Sequence, residues 1–166
     1  MIAVIFGSST MNTEFAAQRV VRAFGSDTAD LHDVKTISSS LIERRRSMVF
    51  ITSTWGAGDL QDDWEAFFPQ LQQMDLTGKI FALVGLGDQE NYPDSFCDSI
   101  ALLNQCILQQ GGIVVGETST EGYNFKHSRA ARDHTFVGLV LDEDNQADLT
   151  DTRIRDWVST VRPLLS

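Results

Sequence analysis

Residues 7–14 read Gly-Ser-Ser-Thr-Met-Asn-Thr-Glu, and this polar stretch separates two apolar patterns of different period. Before it, residues 2–6 form a short apolar run that is typical of a buried strand. After it, apolar residues recur at helical spacing, at Phe15, Ala16, Val20, Val21 and Phe24. The stretch is therefore predicted to lie at a strand-to-helix turn.

The side chains of this turn suit an anion without supplying a cation. Four of them carry hydroxyl groups, one carries an amide, and none is Lys or Arg. The free N–H groups and the dipole at a helix N-terminus attract anions, and each hydrogen bond to a charged group contributes about 1.5–3 kcal/mol. An ordinary helix cap at Thr10 is the alternative. The candidate phosphate-binding residues are Ser8, Ser9, Thr10, Met11, Asn12 and Thr13.

Composition narrows the classes of partner. The chain of 166 residues carries 13 Lys+Arg and 23 Asp+Glu, for a net charge of −10. This charge argues against nucleic acid and anionic membranes, because both require basic patches, and it favours basic protein partners. No apolar run has membrane length and no charged segment precedes an apolar one, so we expect a soluble cytoplasmic protein with a single domain.

The cysteines and histidines indicate neither a disulfide nor a metal site. Cys97 and Cys106 lie nine positions apart in one predicted helix, which separates them by about 13 Å of helical rise, too far for a disulfide. The three histidines are scattered along the chain.

Apolar strands and amphipathic helices alternate along most of the sequence. Strands are predicted at residues 28–32, 48–53, 79–85, 113–115 and 136–141, and further helices at 41–46, 64–74, 94–110 and 150–165. Strands that are apolar throughout predict a parallel sheet covered on both faces, with ligands bound at the carboxyl ends of the strands. Residues 117–134 interrupt the alternation, and are predicted to be either a partner-binding loop or a solvated insertion that covers a sheet edge.

Two further strand-to-helix loops each combine glycines with one aromatic residue. The loop after Ser53 contains Trp55, and the loop that follows Gly85 contains Tyr92. Two aromatic side chains on neighbouring loops can clamp a planar ring, and offset stacking adds about 0.5–1.5 kcal/mol per pair. Capping of the sheet is the alternative role for these side chains. Together with the uncharged phosphate loop, the pattern describes a site for a flat mononucleotide such as FMN.

At these motifs the sequence resembles the flavodoxin family, over the whole chain. The matching segments are residues 8–13, Thr54-Trp55 with residues 59–61 and 63–65, residues 85–89 with Tyr92, and residues 120–125 and 141–146. The last two segments resemble the interrupted strand of long-chain flavodoxins. The resemblance implies an α/β fold with a doubly wound five-stranded parallel sheet of order 2-1-3-4-5, helices on both faces, and a last strand split by a long loop.

The resemblance also implies one FMN-binding domain over residues 1–166 and a set of cofactor contacts. In the family, residues matching Trp55 and Tyr92 flank the isoalloxazine ring, and an acid matching Asp144 lies near the ribityl chain in some members. No catalytic or metal-binding residue is implied. Besides the phosphate-loop residues, the expected contacts are Ser53, Thr54, Trp55, Gly56, Ala57, Gly58, Leu86, Gly87, Asp88, Tyr92, Phe96 and Asp144.

Two residues depart from the family pattern. Met11 stands where the phosphate loop usually has glycine, and a positive φ there would strain the methionine by roughly 1–2 kcal/mol. A second flavodoxin type, from gamma-proteobacteria, also lacks that glycine, and the pattern of this chain is more similar to it. Ser53 stands where many long-chain members have proline.

The implied function is low-potential one-electron transfer, with FMN cycling between its semiquinone and hydroquinone forms. In the family, the carbonyl matching Gly56 turns to accept a hydrogen bond from the reduced ring. The acids predicted near the flavin would steer transient docking of a basic flavoprotein reductase and of acceptor enzymes onto a monomer. These acids are Asp59, Asp62, Asp63, Glu65 and Glu90.

Other functions are compatible with parts of the pattern. The main alternative is an FMN-dependent quinone or flavin reductase that uses a nicotinamide cofactor, although no separate nucleotide fingerprint is present. A module that holds FMN without redox work is another. A phosphoacceptor receiver domain is excluded, because aspartates are missing at the strand ends, where Gly7, Ser8 and Ser53 stand.

Overall fold

A parallel sheet with helices on both faces forms the framework of the structure, a computed structural model that describes all 166 residues. The strands are β1 (Ile2–Phe6), β2 (Ala29–Asp33), β3 (Ser47–Trp55), β4 (Asp59–Leu60), β5 (Ile80–Leu86), β6 (Ile113–Val115), β7 (Thr118–Ser119), β8 (Ala131–Arg132), β9 (Thr135–Phe136) and β10 (Leu139–Leu141). The helices are α1 (Met11–Phe24), α2 (Ser39–Arg44), α3 (Asp62–Leu71), α4 (Asp98–Gln109) and α5 (Thr150–Leu165). None of these helices combines the length and the hydropathy that a membrane span requires.

The strand order confirms the predicted doubly wound topology. The parallel sheet runs β2-β1-β3-β5, and two short strands share the outer side of β5. In the register, β6 pairs with Ile80 to Ala82, and β10 pairs with Val84 to Leu86. These two strands are the halves of one split fifth strand, as the resemblance implied.

Successive side chains of the buried strands point to opposite faces of the sheet and pack into two separate hydrophobic cores. Ala3 and Ile5 of β1 face the core that α2, α3 and α4 cover, whereas Ile2, Val4 and Phe6 face the core that α1 and α5 cover. Every residue of β1 is at most 5% exposed. Burial on both faces explains why this strand is apolar throughout.

Most predicted elements begin or end within a few residues of their predicted bounds, and two differ in ways that affect the local structure. The helix predicted from residue 94 begins only at Asp98, because Cys97 adopts a left-handed conformation with φ 54° and ends the preceding turn. Cys97 therefore precedes α4, and both cysteines are free and buried. The strand predicted over residues 136–141 is divided between β9 and β10.

The segment over residues 117–134 is more ordered than a polar loop. β7, β8 and β9 form a small antiparallel sheet of three strands. Tyr123, Phe125 and Phe136 pack around the buried ring of Phe96, with ring centroids 5.4–6.2 Å from it. The guanidinium carbon of Arg153 lies 4.1 Å from the centre of the Tyr123 ring. These contacts favour an insertion that covers the sheet edge.

We predict that Gly138→Ala destabilises the protein by about 1–3 kcal/mol more than Gly78→Ala, because a small-to-large change in filled space forces the backbone to move. A Cβ at Gly138 would collide with the carbonyl oxygen of Leu83, whereas a Cβ at Gly78 meets no atom within 4 Å. The control carries only the strain of its φ of 79°. Urea unfolding measures both changes, and equal losses would contradict the packing of the split strand.

Candidate functional site

Four loops at the carboxyl edge of the parallel sheet enclose an open cavity of about 370 Å³. They follow β1, β3, β5 and β10. Three of these loops were predicted from the strand pattern, and the fourth, after β10, carries Asp144, which the resemblance implied as a contact. The lining residues are Thr10, Asn12, Thr13, Ser53, Thr54, Trp55, Gly56, Leu86, Gly87, Asp88, Tyr92, Glu143 and Asp144.

The first loop presents neutral donors that the protein leaves free. Thr10 occupies the N-cap position of α1 but makes no side-chain capping bond. The Ser8 hydroxyl is buried and has no hydrogen-bond partner within the protein. Ser9 differs, since its hydroxyl accepts a 2.9 Å bond from Gln61 Nε2. An ordinary cap therefore does not explain this loop, and its free donors fit a bound anion.

Met11 does not carry the strain that a left-handed conformation would impose. It is the first residue of α1, and the non-glycine residues with positive φ are Cys97, Asp133 and His134 only. Its side chain is 64% exposed and is not part of the cavity lining. The positive φ that would strain a methionine is absent, because helical backbone needs no glycine there.

The second loop is a tight hairpin between β3 and β4. Trp55 pairs with Asp59, and the Gly58 N–H donates a 3.2 Å bond to the Trp55 carbonyl. Gly56 and Gly58 have φ values of 54° and 109°, which glycine adopts without strain. The Trp55 side chain is 42% exposed, and its indole N–H donates a 2.8 Å bond to Ser53 Oγ. This bond orients the indole over the cavity.

The third loop contributes Tyr92 to the same lining as Trp55, and Tyr92 is 57% exposed. Asp88 closes the loop, because its Oδ1 accepts bonds of 3.1 and 3.0 Å from the N–H groups of Glu90 and Asn91. Burial works to raise the pKa of Asp88, but hydrogen bonds from Asn91, Asn145 and Glu90 hold that pKa below its ordinary value. Asp88 is therefore charged at neutral pH.

The fourth loop is joined to the third by a buried polar network. Asp142 is fully buried and accepts bonds of 2.7 and 3.1 Å from the side chain and N–H of Gln89. Asn145 Nδ2 donates a 2.8 Å bond to Asp88 Oδ1. Glu143 lines the cavity and pairs with Arg19 at 3.2 Å. The sequence analysis missed Glu143, and its signal was the acidic run directly after an apolar strand.

The structure brings most of the expected contacts into one cavity and places the others behind it or beside it. Ser8 and Ser9 lie in the first loop outside the lining, Ala57 is exposed, and Gly58 is buried. Phe96 is fully buried among aromatic side chains, and a Cβ at Gly87 would stand 3.0 Å from its ring. Phe96 was expected to contact the cofactor and instead packs behind the third loop, as its helical apolar pattern indicated.

The cavity is acidic and contains no cationic side chain. Its lining includes three carboxylates, those of Asp88, Glu143 and Asp144, and no Lys, Arg or His. Burial raises the pKa of Asp144, as do the negative charges of Asp88, Asp142 and Glu143. An anion in this cavity is held by hydroxyl and N–H donors against the local charge.

We predict that Asp144→Asn stabilises the cofactor-free protein at neutral pH. A carboxyl whose folded pKa is raised opposes folding once it is charged, so stability falls as pH rises from the ordinary Asp pKa of about 3.9 through the folded pKa. The exposed side chain limits the gain to about 0.5 kcal/mol. Thermal unfolding across pH measures the gain, which should vanish below about pH 4.

Asp148→Asn, an exposed acid in the following turn, is the matched control for this prediction. A gain at Asp144 that does not exceed the control, or that persists at acid pH, would contradict the assigned charge cluster.

Comparison with known proteins identifies close relatives of the whole chain. A model of the flavodoxin family matches residues 4–157. A flavodoxin of Nostoc sp. strain PCC 7120 is 42% identical over 161 residues, which cover 97% of this chain and 95% of that protein. Flavodoxin 1 of Escherichia coli K12 is 40% identical over 159 residues, which cover 95% and 90%. The finer resemblance to the second flavodoxin type stays a prediction.

Among solved structures, the fold is similar to that of Fusobacterium nucleatum flavodoxin bound to flavin mononucleotide. The TM-score is 0.94 at 30% identity, and the match covers 99% of this chain and 98% of that one. The family model spans most of the chain, and the curated relatives align over nearly their full length. This chain therefore belongs to the flavodoxin family.

Proposed function

We propose that this protein binds FMN non-covalently and carries electrons singly from a reductase to acceptor enzymes, with residues 1–166 acting as one FMN-binding domain. The observation that supports this best is the composition of the cavity. It combines uncharged anion donors at a helix N-terminus with two half-exposed aromatic side chains, Trp55 and Tyr92. The related F. nucleatum flavodoxin that was solved with FMN supports the same ligand.

The phosphate of FMN fits the first loop. Ser8 supplies a buried hydroxyl without a protein partner, and Thr10 and Thr13 line the adjoining wall. The N–H groups of the first turn of α1 add donors that no side-chain cap occupies. Because all these donors are neutral, they hold a phosphate dianion without neutralising it, and the bound cofactor keeps its full charge.

The aromatic side chains fit the two faces of the flavin ring. Ser53 fixes the indole of Trp55 through the 2.8 Å bond, so this face is preorganised. Tyr92 lies in a loop that the Asp88 turn holds closed. A cavity of about 370 Å³ is at the lower end of the range for small-molecule sites, which suits a ring with one exposed edge.

When bound, FMN supplies redox chemistry in two one-electron steps. Gly56, with φ 54°, lets the Gly56–Ala57 peptide adopt either orientation at little cost, so that its carbonyl can accept a hydrogen bond from the ring edge. The carboxylates around the cavity and the net charge of −10 oppose added negative charge. Each unit charge about 10 Å away contributes roughly 0.4 kcal/mol in a water-like dielectric, so several together favour a low potential.

Exposed acids beside the cavity favour basic redox partners. Asp59, Asp62, Glu65 and Glu90 are exposed around the second and third loops, whereas Asp63 is half-buried and accepts a bond from Gln61. Such a surface speeds the encounter with a basic reductase at low salt and docks it transiently. We place this monomeric carrier in the cytoplasm.

Anaerobic photoreduction of the FMN-loaded protein tests this function. We expect the visible spectrum to change in two resolved one-electron steps, with transient absorbance at long wavelength. Direct bleaching in one two-electron step, together with NADPH oxidation by the isolated protein, would contradict a one-electron carrier and favour a nicotinamide-dependent reductase. A protein that binds no FMN would contradict both functions.

A further inference from the structure

The first residues of α4 hold the Trp55 hairpin at both of its ends. On the β3 side, the Thr54 hydroxyl donates a 2.8 Å bond to Ser99 Oγ and accepts a 3.1 Å bond from the Ser99 N–H. On the β4 side, Gly58 lies so close to Asp98 that a Cβ would stand 2.7 Å from Asp98 Oδ2. Residues 55–57, which face the cavity or the solvent, therefore lie between a hydrogen-bonded anchor at Thr54 and a closely packed contact at Gly58.

Asp98 brings a buried negative charge to this contact. Its side chain is 3% exposed, and a carboxylate in such a position requires compensating partners. Oδ1 accepts a 2.7 Å bond from the Arg129 N–H, and Oδ2 lies 3.8 Å from Arg129 Nε. Asp98 is also the first residue of α4, where the helix dipole favours an anion.

The cation that faces Asp98 belongs to the insertion over residues 117–134. The Arg129 side chain is 61% exposed, so its charge is accessible to solvent and partners. Backbone bonds fix the insertion to the segment before α4, because Lys126 and His127 donate to the Pro93 carbonyl at 2.8 and 2.9 Å. Phe96 donates to the His127 carbonyl at 3.2 Å. Backbone hydrogen bonds therefore hold the segments that carry Asp98 and Arg129 together.

We propose that Asp98 is a positioning residue for the hairpin at residues 55–58, and that the Asp98–Arg129 pair sets the electron affinity of the bound cofactor. This inference rests on the proposed function. A fixed negative charge behind the hairpin disfavours a further negative charge on the ring, and Arg129 offsets part of that effect. Through this ion pair, a residue of the insertion influences the potential of the bound cofactor. A partner carboxylate that binds Arg129 would neutralise its charge, lower the potential and make the carrier a stronger reductant.

Three charge variants of the FMN-loaded protein test the redox part of the proposal. Asp98→Asn keeps the size and the acceptor oxygen but removes the charge, and should raise the second midpoint potential by at least a threefold change in the electron-transfer equilibrium, about 30 mV. Arg129→Gln should lower that potential. In the double variant the two shifts should partly cancel, since opposite charges act on the ring additively.

Asp133→Asn is the matched control, because it removes an exposed acid from the same insertion at φ 51°, which Asn tolerates. A shift for Asp98→Asn no larger than for this control would overturn the electrostatic role. A double variant whose potential equals that of Asp98→Asn alone would overturn the offset by Arg129. Because Arg129 is exposed, its variant keeps the test available even if Asp98→Asn does not fold.

Amide hydrogen exchange in the cofactor-free protein tests the positioning part separately. Asp98→Ala removes the side chain packed against Gly58, and Ser99→Ala removes the hydroxyl that accepts the Thr54 bond but leaves the Ser99 N–H bond. Asp98→Ala should speed exchange at residues 55–58 at least threefold relative to the amides of β1, and Ser99→Ala should speed it less. Unchanged exchange would overturn the anchoring. Failure of the wild-type protein to bind FMN would instead refute the proposed function, and this exchange measurement would still decide the role of α4.

Discussion

The close contact between Gly7 and Trp64 fixes the place where the first loop leaves the sheet. A Cβ at residue 7 would stand 2.6 Å from the Trp64 ring, which is fully buried. The Gly7 N–H and the indole N–H of Trp64 both donate to the Ile51 carbonyl, at 3.2 and 2.9 Å. The residue after β1 and a side chain of α3 therefore bind the same carbonyl oxygen of β3. Because this fixes the end of β1, α1 begins a few residues later, at the rim of the cavity.

This placement resolves a conflict between the charge of the protein and that of its proposed ligand. A chain with a net charge of −10 and three carboxylates in its cavity repels a phosphate, yet no cationic side chain lines the site. Neutral donors whose positions the fold fixes offset that repulsion without cancelling the charge of the protein. The same negative surroundings lower the affinity for an added electron, so the charge that opposes phosphate binding also favours a low potential.

The parallel sheet could be predicted because its central strands contain unbroken apolar runs, whereas the strand order came from the resemblance to the family. The three main loops could be located because parallel strands end at one edge. The left-handed turn at Cys97 could not, since apolar periodicity continues through it while φ changes sign. Phe96, an expected contact, lies buried outside the cavity lining, because sequence alone does not tell a core aromatic residue from one that faces a cavity. Glu143 was missed although its neighbour Asp144 was expected, because the resemblance implied only one acid in that loop.

The salt dependence of FMN affinity tests the central claim most directly, with riboflavin as the phosphate-free reference. Calorimetric titration of the cofactor-free protein between about 0.01 and 1 M ionic strength spans Debye lengths from roughly 30 to 3 Å. We predict that FMN binds more tightly than riboflavin, and that this advantage stays constant or grows with salt, because screening relieves repulsion while neutral donors are unaffected. An advantage that falls steeply with salt would reveal a cationic phosphate site and contradict the account.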